Sequence, residues 1–418
     1  MKIDAKNFKI ISEIIAKKIA YNKSEAMDAR VVEFVFKFSE RTMYFYAICR
    51  NVFVKFECNI YLEEDDVVPN ELCFLNNLSA KALSELAYIV DEHEKMQVFI
   101  NTSFFKFTQD SLTFNFYYRK SKNHTISLEK NLGEGLRTLS LKQRDLMDMT
   151  LILTNLNNSS VIEKHIDVPV SLKSIFFNLK DESTDLVATD GKRVIKMELD
   201  VKNNRKFSFL MSAELFAVMC RLNHVVCNTK KTCNITLNIH QRHLVSCFKD
   251  EENGTKIYIK TPILFNNFPD YESLFKKTDQ GKYIIFNRKD LIAITRKIKP
   301  FLDNFSSSLK LKFEKNSITL SSASSINNLL NSENAKKMSA IGIYELSGVR
   351  YIGGNEHIHN TTIGFNIDYF LHALRVVKHD EIKLYINSSF EPCLFRNANT
   401  EVEKDSSIIE ALLMPMKI

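Results

Sequence analysis

The chain has 418 residues, of which 45% are apolar and 26% charged, with only 10 Gly and 7 Pro; this exceeds one ordinary core and excludes disordered, collagen-like and low-complexity classes. The formal charge is +7, from 57 Lys and Arg against 50 Asp and Glu, a modest excess that suits contact with a polyanion without requiring one. No apolar run reaches the roughly 18–20 residues of a membrane span, and the eight cysteines form no Cys-x-x-Cys pair, which points to two or three globular domains with reduced, buried thiols in a cytoplasmic setting.

Met1 to Lys18 is basic and amphipathic. Ile10, Ile11, Ile14, Ile15 and Ile19 recur at helical spacing, predicting a core-facing helix over about 6–20, while Asp4 and Glu13 argue against a transit peptide. A second helix is predicted after the N-cap candidate Ser79, then an alternating strand Gln97–Asn101 and its partner strands. The polar, Gly-containing stretch Asn131–Gly135 marks a join. Beyond it a helix is predicted near 140–155, then two strand-like runs, Leu186–Thr189 and Arg193–Leu199, flanking Asp190-Gly191, a dipeptide suited to a tight turn that needs positive φ. Asp190 acting as a base would want a histidine or metal partner, and nothing nearby supplies one.

Ser212 is the next N-cap candidate, followed by a helix and the strand Asn234–Asn238. Cys220, His224, Cys227 and Cys233 crowd together here, but their gaps fit no zinc pattern and run from helix to strand, so no metal is expected. Phe268-Pro269-Asp270-Tyr271 reads as a rigid loop between aromatics, and Lys276–Gly281 as a second join. A helix near 287–303 places Lys289, Arg296 and Lys299 on one face and Leu291, Ile294 and Ile298 on another. Ser322 to Thr362 is Asn- and Ser-rich and reads as a strand pair carrying a long exposed loop. Asn366 caps a last helix, Ile382–Ile386 alternates as a strand, and Ile408–Met416 stays apolar almost to the chain end, so this tail must be tucked into a sheet or line a groove.

One order of elements therefore occurs three times: amphipathic helix, strands, second helix, strand pair. It predicts an α+β chain of three like domains at 1–135, 136–281 and 282–418. A nucleic-acid-modifying enzyme is an alternative, but the chain shows no Walker loop, no His/Asp/Glu metal cluster and no Ser/His/Asp signature.

Three strings carry a resemblance: Ala188-Thr189-Asp190-Gly191-Lys192-Arg193, Phe268-Pro269-Asp270-Tyr271 and Met414-Pro415-Met416-Lys417-Ile418, with Ile363-Gly364-Phe365-Asn366 as a fourth. At these distances they resemble the partner-binding pocket of the sliding clamp family, the beta subunits of bacterial DNA polymerase III. The resemblance spans nearly all of the chain and is strongest from Val168; in the first domain it rests on the order of elements alone. It implies three repeated clamp domains, each with two helices on the inner side and antiparallel sheets outside, closing into a head-to-tail dimeric ring around duplex DNA. It implies a non-catalytic processivity factor without cofactor or metal. The implied partners are duplex DNA held without sequence preference, the replicative DNA polymerase, a clamp loader, other clamp-motif peptides and a second copy of the chain, with no membrane and a nucleoid-associated place in the cytoplasm. A clamp fold that serves as a monomeric docking platform is the other reading.

By that resemblance the peptide pocket is lined by Leu172, Thr189, Gly191, Lys192, Arg193, Val194, Pro269, Leu274, Leu412, Met414, Pro415, Met416 and Lys417. Lys192 stands where the family commonly has His, and Ser273 where Arg is common. The DNA-facing cations would be Lys17, Lys18, Lys23, Lys81, Lys289, Arg296, Lys299, Arg375 and Lys378, and the dimer contact Phe114 and Phe116 against Phe301 and Leu302.

Overall fold

Period-two alternation decides most of this fold. The strand Arg193–Leu199 buries Arg193, Ile195, Met197 and Leu199 and leaves Val194, Lys196 and Glu198 half-buried on the other face, as a pleated strand with unlike faces must. The computed structural model describes residues 1–12, 30–49, 52–64, 73–76, 83, 88–91, 93–100, 104–117, 135–142, 145, 168–203, 205–226, 234–250, 254–280, 282–302, 308–322, 342–353, 358–398 and 407–416. These fall into two compact units, Met1–Met147 with Glu214–Leu264, and Asp148–Ala213 with Phe265–Ile418. The fold is α+β, and every strand pairing among the described residues is antiparallel.

The first unit holds an eight-stranded sheet and a four-stranded one. Its core is phenylalanine-rich: Phe34 of the large sheet lies 4.9 Å from Phe45 and 5.5 Å from Phe105 of the small sheet, whose neighbour Phe107 meets Phe8 at 4.3 Å. Phe8 belongs to the helix Ala5–Ile10, which buries Ala5, Phe8 and Ile10. That is the start of the predicted N-terminal helix; Ile14, Ile15 and Ile19 lie outside the described residues, as does Ser79. The helix predicted near 140–155 needs correction at its start. Arg137–Lys142 is a strand, because Leu139 and Leu141 alternate and pair with Leu237 and Ile235; its later residues are largely undescribed.

The second unit holds a nine-stranded sheet and a four-stranded one. The helix Ile367–Val376 packs on the large sheet, with Phe370 5.7 Å from Phe395. Asn366 caps it as its sequence predicts, accepting from the backbone N–H of Asp368 and Tyr369 at 3.0 and 3.1 Å. Asn287 caps the helix Arg288–Ile298 in the same way, and Leu291, Thr295 and Ile298 form its buried face. The region from Ser322 to Thr362 is not a strand pair: Ile343–Ser347 joins the four-stranded sheet and Arg350–Ile352 the nine-stranded one. Gly348, at φ +76, stands between them and lets the chain change sheets. The join expected at Lys276–Gly281 begins inside a helix, Tyr271–Thr278.

Cys58, Cys220, Cys247 and Cys393 are buried, and burial pushes the thiols of Cys58, Cys247 and Cys393 up. No helix among the described residues is long and apolar enough to cross a membrane.

Replacing Asn366 by Ala should remove both capping acceptors and cost about 1 kcal/mol. Thermal unfolding would register this as a midpoint about 2–4 °C lower, whereas Asn366→Asp should hold the native value.

Candidate partner-binding site

The hairpin Thr184–Thr189 and Arg193–Leu199 pairs Thr189 with Val194. Its turn is held by one carboxylate. Asp190 Oδ1 accepts from the backbone N–H of Lys192 and of Arg193, both at 3.0 Å, and Oδ2 accepts from Arg193 Nε at 2.9 Å. The Thr189 hydroxyl donates to the Arg193 carbonyl at 2.8 Å and accepts from Gly191 N–H at 3.1 Å. Only Gly191 takes the positive φ, +82, and a Cβ there would meet nothing within 4 Å, so the turn faces open space. Thr189, Asp190 and Arg193 are all buried.

A buried guanidinium needs further partners. Arg193 Nη1 donates to Nδ1 of His372 at 2.8 Å, and the guanidinium lies 4.2 Å from the centre of the Tyr369 ring. The helix Ile367–Val376 brings His372 to the turn, but only through Arg193. Asp190 still bonds the guanidinium and the backbone, not the imidazole, so this is a structural brace and not an acid–base pair.

The second piece is the helix Tyr271–Thr278. Asp270 caps it, accepting from Ser273 N–H at 3.1 Å and from the Ser273 hydroxyl at 2.5 Å, which holds its carboxyl below the usual range. Tyr271 and Phe275 are buried with Val187, Tyr385, Leu394 and Leu412, while Phe176, Val194, Phe268 and Tyr283 pack against that cluster. Phe176 and Phe268 stack at 4.7 Å. Leu274 is left 38% exposed, and Pro269 is exposed.

The third piece is the tail. Ile408–Leu413 pairs along its length with Arg193–Leu199, Leu412 opposite Val194. Beyond it Met414 N–H donates to the Lys192 carbonyl at 2.9 Å and Met416 N–H to the Gly364 carbonyl at 2.7 Å. The tail is thus tied to the turn on one side and to the strand Thr362–Asn366 on the other, with Met414 40% and Met416 38% exposed. Leu172, half-buried, lies on the single turn Val170–Lys173 that leads into the sheet. Hairpin, linker helix and tail therefore meet at Val194 and Leu412 with apolar side chains left uncovered.

One row further along the same sheet face the chemistry changes. Lys196 Nζ lies 2.5 Å from Glu410, and Arg396 bonds both Glu410 and Asp279. Lys180 sits 2.7 Å from buried Asp185 and 2.8 Å from Glu272, holding the Glu272 carboxyl below its usual range. Tyr271 donates to Asp185 at 2.7 Å and accepts from Asn178 at 2.8 Å; burial pushes its phenol far up. A cavity of about 300 Å³ opens among these side chains. Lys180, Lys196 and Arg396 are bonded to carboxylates here, and the Lys180–Glu272 and Arg396–Asp279 pairs fasten the linker helix to the sheet.

Comparison with known proteins bears on the fold that carries these residues. Residues 278–417 match the family described as DNA polymerase III beta subunit, C-terminal domain. Over 249 residues, 59% of this chain, it is 21% identical to the beta sliding clamps of Chlamydia muridarum and Chlamydia trachomatis, of which the match spans 57% and 50%. The fold of the whole chain superposes on the sliding clamp of Pseudomonas aeruginosa (TM-score 0.73, 15% identical) and on the DNA polymerase III beta subunit of Thermotoga maritima (TM-score 0.74, 17% identical), covering 100% of this chain and 99% of each of those. Residues 278–417 therefore match that family's C-terminal domain, and the whole chain has the fold of these sliding clamps.

In this clamp-like fold Lys289, Arg296, Lys299, Arg375 and Lys378 are all exposed. Lys289 lies 2.8 Å from Asp380 and Lys299 2.5 Å from Asp368, so two of them face carboxylates on their own unit. Lys17, Lys18, Lys23, Lys81 and Lys417 lie outside the described residues. Phe114 and Phe116 are half-buried on an edge strand, Leu112–Tyr117, where Phe116 stacks on Phe105 at 5.0 Å. Phe301 and Leu302 are half-buried after the helix Arg288–Ile298. Sequence reading missed His372, the linker helix and the Lys180–Asp185 cluster. The helix alone had a local signal, the capping spacing from Asp270 to Ser273.

Tyr271→Phe should leave the Phe275 seat intact and remove the donor to Asp185, at a cost of about 1.5–3 kcal/mol in urea unfolding. The Glu272 carboxyl is held down, so its contribution is full above the ordinary carboxylate value and fades as pH falls through the lowered one. The gap between native protein and Glu272→Gln should accordingly close in acid.

Proposed function

We propose that this chain is a DNA sliding clamp, a non-catalytic processivity factor that encircles duplex DNA and tethers the replicative DNA polymerase and other partners. The observation that carries this reading is the convergence of hairpin turn, linker helix and chain end on one half-covered apolar site, in a chain whose whole fold superposes on clamps. Three repeats at 1–135, 136–281 and 282–418, in two copies head to tail, would make the ring. The edge strand with Phe114 and Phe116 would meet Phe301 and Leu302 of the second copy, ending both sheet edges.

Lys17, Lys18, Lys23, Lys81, Lys289, Arg296, Lys299, Arg375 and Lys378 would face the duplex and act on phosphates without reading bases. Lys289 and Lys299 would exchange exposed carboxylate partners for phosphate. Exposed ion pairs of that kind hold only about 0–1 kcal/mol, so the exchange is easy. Partner peptides would enter over Leu172, Gly191, Val194, Pro269, Leu274, Leu412, Met414, Pro415 and Met416, with Lys192 and Lys417 at the rim and Thr189 and Arg193 bracing the turn from beneath. Methionine suits such a site because its unbranched side chain repacks around different anchors. A clamp loader would place the ring on DNA beside the nucleoid.

Retention on nicked circular DNA, lost when the circle is cut, tests encirclement; a protein released equally from circles and linear DNA would overturn it. Sedimentation at micromolar concentration should give a dimer, and a strictly 48.4 kDa species would favour a monomeric docking platform instead. Deleting Met414–Ile418 leaves the final strand in place, and it should abolish partner-peptide binding with the dimer mass unchanged.

A further inference from the structure

We propose that the cavity beside the linker helix is a binding site for a small multivalent oxyanion, diphosphate being the chemistry that fits it, and that the anion takes Lys180 and Arg396 from Glu272 and Asp279. Glu272 and Lys276, four residues apart, share one flank of the helix Tyr271–Thr278 and line the cavity. Leu274, two residues from each, lies on another flank. The cavity is therefore separate from the apolar partner-binding site, and it stands whether or not the chain encircles DNA.

Four elements each send one cation to this cavity of about 300 Å³: Lys180 from just past the strand Ser174–Leu179, Lys196 from Arg193–Leu199, Arg396 from Cys393–Asn397 and Lys276 from the linker helix. Their carboxylate partners are of two kinds. Asp185 and Glu410 are buried and fix the cations from beneath: Asp185 holds Lys180 at 2.7 Å, and Glu410 holds both Lys196 and Arg396. Glu272 and Asp279 belong to the linker helix and its end, and with side chains 43% and 35% exposed each adds one contact, to Lys180 at 2.8 Å and to Arg396 at 2.7 Å. Lys196 Nζ also lies over the Phe275 ring, 5.1 Å from its centre. Lys276 is exposed and bonds none of the described carboxylates.

Breaking a buried pair leaves an uncompensated charge, so Asp185 and Glu410 keep their cations in place. Exposed pairs are weak and exchange readily, so an entering anion competes only with Glu272 and Asp279. A halide carries one charge and cannot bridge several cations. A dicarboxylate offers no more than Glu272 and Asp279 already supply. Phosphate groups bring more charge and several oxygens each, which match the donor fork of Arg396 and the ammonium groups of Lys180, Lys196 and Lys276. The volume stands at the low end of ligand pockets, about 300–1,000 Å³, so the occupant is a small ion and not a nucleic-acid strand. Once it is bound, the linker helix keeps its seat through Tyr271 and Phe275 while its two ionic fastenings are released.

The test is calorimetry on the full-length protein with sodium diphosphate, the ionic strength held constant with sodium chloride. Binding should saturate at one ion per chain, and succinate in place of diphosphate should bind several-fold more weakly. Lys276→Gln removes an exposed cation with no carboxylate partner, so the fold is kept, and it should weaken diphosphate binding about threefold, the scale of one exposed ion pair. Lys312→Gln, on the four-stranded sheet and paired there with Glu314, should leave binding unchanged. Glu272→Gln removes a competitor while Lys180 keeps Asp185, and it should tighten diphosphate binding by about the same threefold. The inference is overturned by any of four results: no saturable binding, succinate bound as tightly as diphosphate, equal responses to Lys276→Gln and Lys312→Gln, or diphosphate binding that Glu272→Gln fails to tighten.

Discussion

Six residue pairs, from Arg193 opposite Leu413 to Glu198 opposite Ile408, form the only strand pairing among the described residues that joins the strands between Ser174 and Ser212 to those between Tyr283 and Leu413. The nine-stranded sheet holds together only while they do. Both faces of this seam are covered. Ile195, Met197, Ala411 and Leu413 lie on the side of the helix Ile367–Val376, and Val194 and Leu412 lie on the side of the linker helix. The turn before one strand and the tail after the other leave the same end of the seam. The site is thus a consequence of the seam's position, with no separate scaffold of its own.

The charges around the seam act on register more than on net stability. A buried ion pair seldom outweighs the desolvation of its members, so Lys196–Glu410–Arg396 is a weak source of stability. A slip of one residue, however, would turn Lys196 and Glu410 toward Phe370 and Phe395 and expose Ile195 and Ala411 beside Asp279. That misplacement buries unpaired charge, which is far more costly than the paired arrangement is favourable. Asp190 and Arg193 repeat the device on the opposite face at the end of the strand. The linker helix is held likewise: an apolar centre of Tyr271 and Phe275, with Lys180 near its start and Arg396 on Asp279 at its end.

Elements whose signal is local were legible in the sequence. Strand-like runs at Leu186–Thr189 and Arg193–Leu199 gave most of the hairpin, Asn366 gave a helix start, and Asp190-Gly191 gave the turn with its single positive φ. Elements set by distant partners were not. Leu139 and Leu141 suit a helix as well as a strand, and only pairing with Ile235 and Leu237 selects the strand. Tyr271–Thr278 is eight residues, too short for its period to be read against the Pro269 loop before it, and it is helical because the sheet supplies a seat. His372 reads as one more residue on an amphipathic helix; its role depends on Arg193, 179 positions away. The apolar tail was the exception, since a chain end that remains apolar needs cover whatever its partner.

The tail also limits how strongly any one partner can be held. Past Leu413 its described residues make two backbone hydrogen bonds, to Lys192 and Gly364, and Leu274, Met414 and Met416 are already about three-fifths buried before anything arrives. Full burial of such a side chain is worth about 1.5–3 kcal/mol, so covering the remainder yields roughly 1 kcal/mol each by the same measure. Association costs about 4–15 kcal/mol in lost freedom. A single short peptide must therefore bring most of its own apolar surface and will exchange readily. In the proposed ring that weakness would be functional: linkage to the duplex would hold the chain in place while successive partners replaced one another at the site.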